Sequence, residues 1–127
     1  MGAGVERNTG VRAISLTDNM SVITALANDT GYSSIFERQL DGQLEKEGVI
    51  IGISASGNCP NILEAIEYDR KNGAMTIGFI GFGGGKLKEL TRKSIILSSR
   101  DYGRVEDVHI SLAHIISHIV KEKIANG

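Results

Sequence analysis

The sequence predicts one α/β domain with a parallel sheet that is flanked by helices. The first observation is that short apolar segments alternate with segments of helical periodicity along the whole chain. The second is that the apolar segments are continuous, which is typical of strands buried on both faces of a parallel sheet. The third is that the 127 residues show no internal repeat or low-complexity tract and suffice for one modest core.

The predicted elements follow a glycine-rich, polar lead-in at residues 1–10. Strands are predicted at residues 11–16, 48–53, 74–80 and 94–98. Helices are predicted at residues 20–27, 33–44, 60–71, 87–91 and 106–124. The last helix is expected to have an apolar stripe made of Val108, Leu112, Ile115, Ile116, Ile119 and Val120.

Local signals support these boundaries in chain order. Residues 11–16 alternate apolar and polar side chains, which favours a strand, and residues 17–19 can cap the helix that follows. The second helix opens at two serines and is expected to turn Ile35, Phe36, Leu40 and Leu44 inward. Pro60 suits the first position of the third helix, and Gly73 ends it. A polar loop at residues 99–105 precedes the last helix.

Composition excludes several function classes. The net charge of −1 at pH 7 gives no reason to expect a nucleic-acid or membrane surface. The N-terminus has no apolar run of the kind found in signal peptides, and no segment approaches transmembrane length. The single cysteine, Cys59, rules out an internal disulfide and fits a reducing cytosol. We therefore expect a cytoplasmic protein.

The strongest functional signal is the turn at residues 54–59, which reads Ser-Ala-Ser-Gly-Asn-Cys and is called the serine loop below. It joins the apolar strand at 48–53 to the helix that opens at Pro60. Hydroxyl groups, backbone N–H groups and a helix N-terminus all favour a phosphate or another anion. Ligands of open parallel sheets also lie beyond the carboxyl ends of the strands. The alternative is a plain strand-to-helix connection.

The glycine-rich segment at residues 81–86, called the glycine loop below, fits neither nucleotide-binding pattern. A P-loop would need Gly at position 80 and Ser or Thr at position 87, where the chain has Ile80 and Leu87. A dinucleotide fingerprint would need a third Gly in place of Lys86. The loop is interpreted as a connection whose backbone passes close to a neighbour or a ligand.

Residue spacing alone gives weaker evidence for a role of histidine or cysteine in catalysis or metal binding. His109, His114 and His118 lie on the last predicted helix, and the latter two are four residues apart on one face. The helix lacks a His-Glu-x-x-His motif, so a core or interface role is favoured over a metal site. Cys59 has no paired histidine in its segment, so a small turn residue is favoured over a nucleophile.

Several separate motifs resemble one family. Residues 53–62 resemble the Ser-x-Ser-Gly-Asn phosphate loop of SIS (sugar isomerase) domains. Residues 25–32, 84–87 and 105–109, together with His114, resemble the phosphoheptose isomerase branch. The resemblance implies a flavodoxin-like sheet flanked by helices. It also implies aldose–ketose isomerisation of a sugar phosphate such as sedoheptulose 7-phosphate through an enediol, and a homo-oligomer with sites at subunit boundaries.

The resemblance also implies roles for individual residues. The phosphate-binding positions are Ser54, Ala55, Ser56, Gly57, Asn58 and Cys59. His114 matches the catalytic histidine, and Glu106 stands where many members have Gln near the reacting centre. Asn19 stands where many members have Asp, and Asp18 is adjacent, so both are candidate substrate-binding residues. The resemblance fixes no cofactor but allows zinc, which some relatives bind with residues at the Glu106 and His114 positions.

The main departure from the family is at the N-terminus. Family members begin with helices, a first strand, an Asn-Gly-Gly-Ser turn and a helix with the catalytic Glu. We therefore expect one SIS domain over residues 1–127 that lacks this leading segment. The family's first strand would lie between strands 11–16 and 48–53, so we expect these strands to pair directly or the chain to assemble with another chain. The missing Glu leaves open a non-catalytic sugar-phosphate-binding or assembly module.

Overall fold

The computed structural model describes residues 10–127, and nearly all of the predicted lead-in lies outside this range. Three strands are present: β1 Val49–Ser54, β2 Met75–Ile80 and β3 Lys93–Ile96. Five α-helices are described: α1 Met20–Thr30, α2 Ile35–Leu40, α3 Pro60–Lys71, α4 Leu87–Leu90 and α5 Tyr102–Asn126. A 3-10 turn at Tyr32–Ser34 joins α1 to α2, so the second helix is shorter than predicted and leaves Leu44 outside it.

The strands form one parallel sheet in the order β1-β2-β3. Val49 lies opposite Met75, and Ile77 lies opposite Lys93, so the ladder runs in register from β1 to β3. Helices connect the parallel strands, as crossovers in such sheets require. The predicted α/β class with a parallel, helix-flanked sheet is therefore confirmed.

Residues 11–16 do not form the predicted strand. Val11 and Ile14 are 67% and 49% exposed, and Arg12 forms an exposed ion pair with Glu45 at 3.1 Å. Alternation alone does not make a strand, because a strand needs a neighbour with free backbone groups in reach. The expected direct pairing with β1 is therefore wrong. Among residues 10–127 no strand covers the outer edge of β1.

One face of the sheet carries the core. Ile66 of α3, Ile80 of β2 and Leu87 of α4 are at most 1% exposed and pack together. Gly52 lets α3 approach closely, because a Cβ there would lie 3.1 Å from the Ile62 and Ile66 side chains. Burial of these side chains stabilises the domain by about 1.5–3 kcal/mol each. The serine loop thus connects a strand and a helix that pack together in this core.

The opposite face is largely uncovered in the described chain. Ile51 and Ile53 of β1 are 44% and 51% exposed. α5 begins at Tyr102 rather than at the predicted residue 106, because the Asp101 carboxylate accepts the Arg104 N–H at 3.0 Å and caps the helix. Only Val105 and His109 of α5 are buried. Leu112 and Ile116 of the predicted apolar stripe are half-buried, and its other four residues are exposed. None of the described helices is long and apolar enough to cross a membrane.

Candidate functional site

The serine loop lies at the carboxyl end of β1, and its polar side chains bond to one another. Ser54 is only 4% exposed. Its hydroxyl accepts the Gly57 N–H at 3.0 Å and donates to Cys59 Sγ at 3.1 Å. The Ser56 hydroxyl accepts the Asn58 N–H at 3.1 Å and lies 3.8 Å from the same sulfur. Ser54 therefore holds the turn from inside, while the half-buried Ser56 and Cys59 lie nearer its surface.

The start of α3 offers fewer free N–H groups than the sequence indicates. Pro60 is at the first position, as predicted, and has no N–H. The Ile62 N–H donates to Asn61 Oδ1 at 2.9 Å, and the Leu63 N–H donates to the Cys59 carbonyl at 3.0 Å. The first bond satisfies one of the donors that a helix start leaves open, and the second is the first i→i−4 bond of the helix itself. The N–H groups left for an anion at this helix end are therefore those of Cys59 and Asn61.

The glycine loop packs directly on the serine loop. The Gly81 N–H donates to the Ala55 carbonyl at 3.0 Å. The Leu87 N–H donates to the Gly57 carbonyl at 2.9 Å. The two loops, about 25 residues apart in the sequence, thus form one surface at the carboxyl edge of the sheet. The interpretation of the glycine loop as backbone passing close to a neighbour agrees with this contact.

Two glycines make the close approach possible. Gly57 has φ +71°, and a Cβ there would collide with the Gly84 carbonyl. Gly85 has φ +53°, and a Cβ there would lie 2.5 Å from the Ser56 carbonyl oxygen. Both positions combine a left-handed backbone with no room for a side chain. The contact between the loops therefore requires glycine on each side.

Phe82 anchors the other side of the glycine loop and was not singled out by the sequence. It has φ +49°, which is unusual for a residue with a side chain. Its N–H donates to the Ser99 carbonyl at 3.2 Å, and its ring meets the Tyr102 ring edge-on at 4.6 Å. The first turn of α5 thereby supports the glycine loop. A lone aromatic residue in a glycine run gives no sequence signal for this role.

α5 brings Glu106, but not His114, to the carboxyl edge of the sheet. Val105 is fully buried against Gly81, and the exposed Glu106 follows it. His109 packs on Phe79 with ring centroids 6.2 Å apart and has its Nε2 atom buried without a partner. The exposed His114 lies nine residues after Val105, which is about 14 Å further along the helix axis. The predicted catalytic pair is therefore spread along one helix.

Asn19 has a structural partner. Its Oδ1 accepts the Val22 N–H at 3.1 Å and caps α1, as the capping chemistry of residues 17–19 predicts. Asp18 is exposed beside it. α1 packs on the 3-10 turn and on α2. A role for Asn19 or Asp18 in substrate binding stays a prediction.

Glu106 and His114 alone do not make a zinc site. They lie eight residues apart on α5. Within residues 10–127 no three His, Cys, Asp or Glu side chains come together as a metal site would need.

Comparisons with known proteins agree with this architecture. Residues 2–81 match the family profile described as SIS domain. The chain belongs to the SIS domain family. It is 40% identical over 117 residues to the phosphoheptose isomerase of Helicobacter pylori (strain P12), covering 92% of this chain and 61% of that protein. It is 41% identical over 115 residues to phosphoheptose isomerase 2 of Campylobacter jejuni, covering 91% and 57%.

Solved structures give the same result. A phosphoheptose isomerase from Francisella tularensis superimposes with a TM-score of 0.82 at 26% identity, covering 86% of this chain and 59% of that one. The Neisseria gonorrhoeae phosphoheptose isomerase superimposes with a TM-score of 0.81 at 27% identity, covering 86% and 61%. The chain thus has the phosphoheptose isomerase fold and spans about three-fifths of the length of these relatives.

Proposed function

We propose that this chain is a sugar-phosphate isomerase that interconverts an aldose and a ketose, with sedoheptulose 7-phosphate as the first substrate to test. The observation that carries the proposal is the serine loop, a strand–turn–helix with two hydroxyls in a chain about 40% identical to phosphoheptose isomerases. The loop supplies donors of the type that phosphate needs.

The serine loop would bind the phosphate mainly through its outer groups. Ser56 and Cys59 are half-buried, whereas Ser54 already uses its hydroxyl inside the turn. The nearest part of α3 adds backbone donors and the positive end of its dipole. We therefore assign phosphate contact to Ser56 and to the backbone around Cys59, and assign support of the turn to Ser54.

The isomerisation moves a proton between two neighbouring carbons and a second proton between their oxygens. His114 acts as a general acid and base on the carbonyl and hydroxyl oxygens. Glu106, which follows the Val105 that packs on Gly81, is assigned to the carbon-bound proton. Both residues lie on α5, eight positions apart.

The proposal includes a homo-oligomer, because the family resemblance implies sites at subunit boundaries. Exposed apolar side chains support it, since Ile115 and Ile119 of α5 are 53% and 46% exposed. Ile51 and Ile53 add apolar surface on the sheet. Apolar patches of this kind are typical of protein–protein interfaces. Light scattering after size exclusion should give more than one chain per particle, and a monomer at micromolar concentration would contradict the proposed homo-oligomer.

We place the protein in the cytoplasm, since its cysteine is a free thiol.

A second candidate is a non-catalytic sugar-phosphate-binding module. It is favoured by one observation: in residues 10–127 neither Glu106 nor His114 makes a side-chain hydrogen bond that would orient it for proton transfer. The serine loop would then sense a sugar phosphate without converting it.

Two measurements separate these functions. A thermal-shift titration with sedoheptulose 7-phosphate tests binding, and a coupled assay tests conversion. Under the isomerase proposal, His114→Ala lowers kcat by about 10²–10⁴, while His118→Ala, one turn further along the same exposed helix, leaves it within about twofold. Binding without conversion of any seven-carbon or six-carbon sugar phosphate would favour the sensor. No binding at all would reject both.

A further inference from the structure

One side chain, that of Asn58, links the two loops at the carboxyl edge of the sheet. Its Oδ1 accepts the Lys86 N–H at 2.9 Å, although the residues are 28 positions apart. Its own N–H donates to the Ser56 hydroxyl at 3.1 Å. Asn58 therefore contacts the glycine loop through its side chain and the serine loop through its backbone.

We propose that Asn58 is a positioning residue, which holds the glycine loop against the serine loop instead of contacting the phosphate itself. The inference rests on the proposed function, because the geometry that Asn58 sets is that of the proposed phosphate site. It differs from the role that the family resemblance implies, in which Asn58 belongs to the phosphate-binding set.

The packing around Asn58 explains how it acts. Gly85 lies against the Ser56 carbonyl, and the Leu87 N–H bonds to the Gly57 carbonyl. A shift of the glycine loop therefore displaces Ser56, whose hydroxyl is assigned to the phosphate, and Gly57, which is part of the backbone of the turn. Binding by directed donors loses affinity when the donors shift, because hydrogen bonds weaken steeply with angle.

The proposal is tested with a double-mutant cycle on the Asn58–Lys86 bond. Lys86 has φ −72°, which a proline can adopt, so Lys86→Pro removes the N–H donor; its ring carbon replaces the hydrogen that faces Asn58 Oδ1 and turns the exposed amide aside. Lys86→Ala removes the same side chain and keeps the donor, which makes it the matched reference. The probe is inorganic phosphate, and its Kd is measured by calorimetry for both variants with and without Asn58→Ala.

In the Lys86→Ala background, we expect Asn58→Ala to weaken phosphate binding about fivefold, as loss of one hydrogen bond would. In the Lys86→Pro background, where the bond is already absent, we expect Asn58→Ala to change the Kd less than twofold. Equal effects in both backgrounds would overturn the proposal and make Asn58 a direct ligand. Asn72→Ala, which removes an exposed amide at the far end of α3, should leave Kd unchanged.

A second measurement covers the case in which Lys86→Pro does not fold. In Asn58→Ala alone, hydrogen exchange of the Lys86 amide should speed up at least tenfold, because its acceptor is gone. Unchanged exchange would overturn the proposal. If the unaltered chain does not bind phosphate, the proposed function fails and this inference fails with it. If it binds and Asn58→Ala binds equally well, this inference alone fails.

Discussion

Replacing Asp69 with Asn changes the charge of a carboxyl group that lies inside the domain without a partner. Asp69 is on α3 and is 0% exposed. Neither of its carboxylate oxygens has a hydrogen-bond partner among the described residues. Burial disfavours the charged form and raises the pKa of Asp69 from its ordinary 3.8 to about 6. At pH 7.5 the folded protein therefore contains a buried negative charge that no residue between 10 and 127 compensates by a hydrogen bond.

The size and the sign of the effect follow from this pKa. One pKa unit corresponds to about 1.36 kcal/mol, so the difference between 3.8 and about 6 is worth about 3 kcal/mol. The folded state binds the proton more tightly than the unfolded state. The favourable contribution of protonated Asp69 is therefore complete below pH 3.8 and is lost as pH rises through about 6. Above that pH, the charged carboxylate lowers the free energy of unfolding by the full amount.

The assay is urea unfolding of the unaltered chain and of Asp69→Asn at several pH values between 4 and 8. We expect Asp69→Asn to be more stable by about 2–3 kcal/mol at pH 7.5 and equally stable near pH 4. Glu64→Gln, which removes an exposed carboxylate on the same helix, should change stability by less than about 0.5 kcal/mol. A destabilised Asp69→Asn at pH 7.5 would refute the reasoning, because it would mean that the charged carboxylate has a stabilising partner.

Two further predictions concern stability and use paired variants. Gly85→Ala should lower the free energy of unfolding by at least about 1 kcal/mol more than Gly83→Ala. Both glycines have positive φ, but only at Gly85 would the added Cβ collide with the Ser56 carbonyl. Equal losses in chemical unfolding would contradict the loop contact. Ile66→Ala should cost about 2–5 kcal/mol and Ile110→Ala less than about 0.5 kcal/mol, because Ile66 is 1% and Ile110 60% exposed. Similar values in the same experiment would show that α3 does not form the core.

Helix and strand boundaries were predicted well where local chemistry decides them. Pro60 at the start of α3 and Gly73 after its end fix that helix within a residue. The apolar runs of β1 and β2 were correctly placed, because short continuous apolar runs are typical of parallel strands. The start of α5 was missed because Asp101, its cap, lies in a stretch with no periodic apolar residue.

The candidate site was predicted only in part. The serine loop is a local strand–turn–helix motif, so its residues could be identified from their order in the chain. The roles of the individual residues within the loop could not be predicted, because they depend on which groups each side chain bonds to in the folded chain. Ser54 is turned inward to Gly57 and Cys59, and Asn58 bonds to Lys86 from a distant loop.

The α/β class, the order of three strands and their helices, the family and the serine loop could all be predicted from the sequence. All of these follow from local periodicity, turn chemistry and motif order. The folded chain alone reveals that residues 11–16 do not join the sheet, that the glycine loop rests on the serine loop, and that Asp69 is buried without a partner among the described residues. These depend on contacts between residues far apart in the chain, whose energies no single segment of sequence contains.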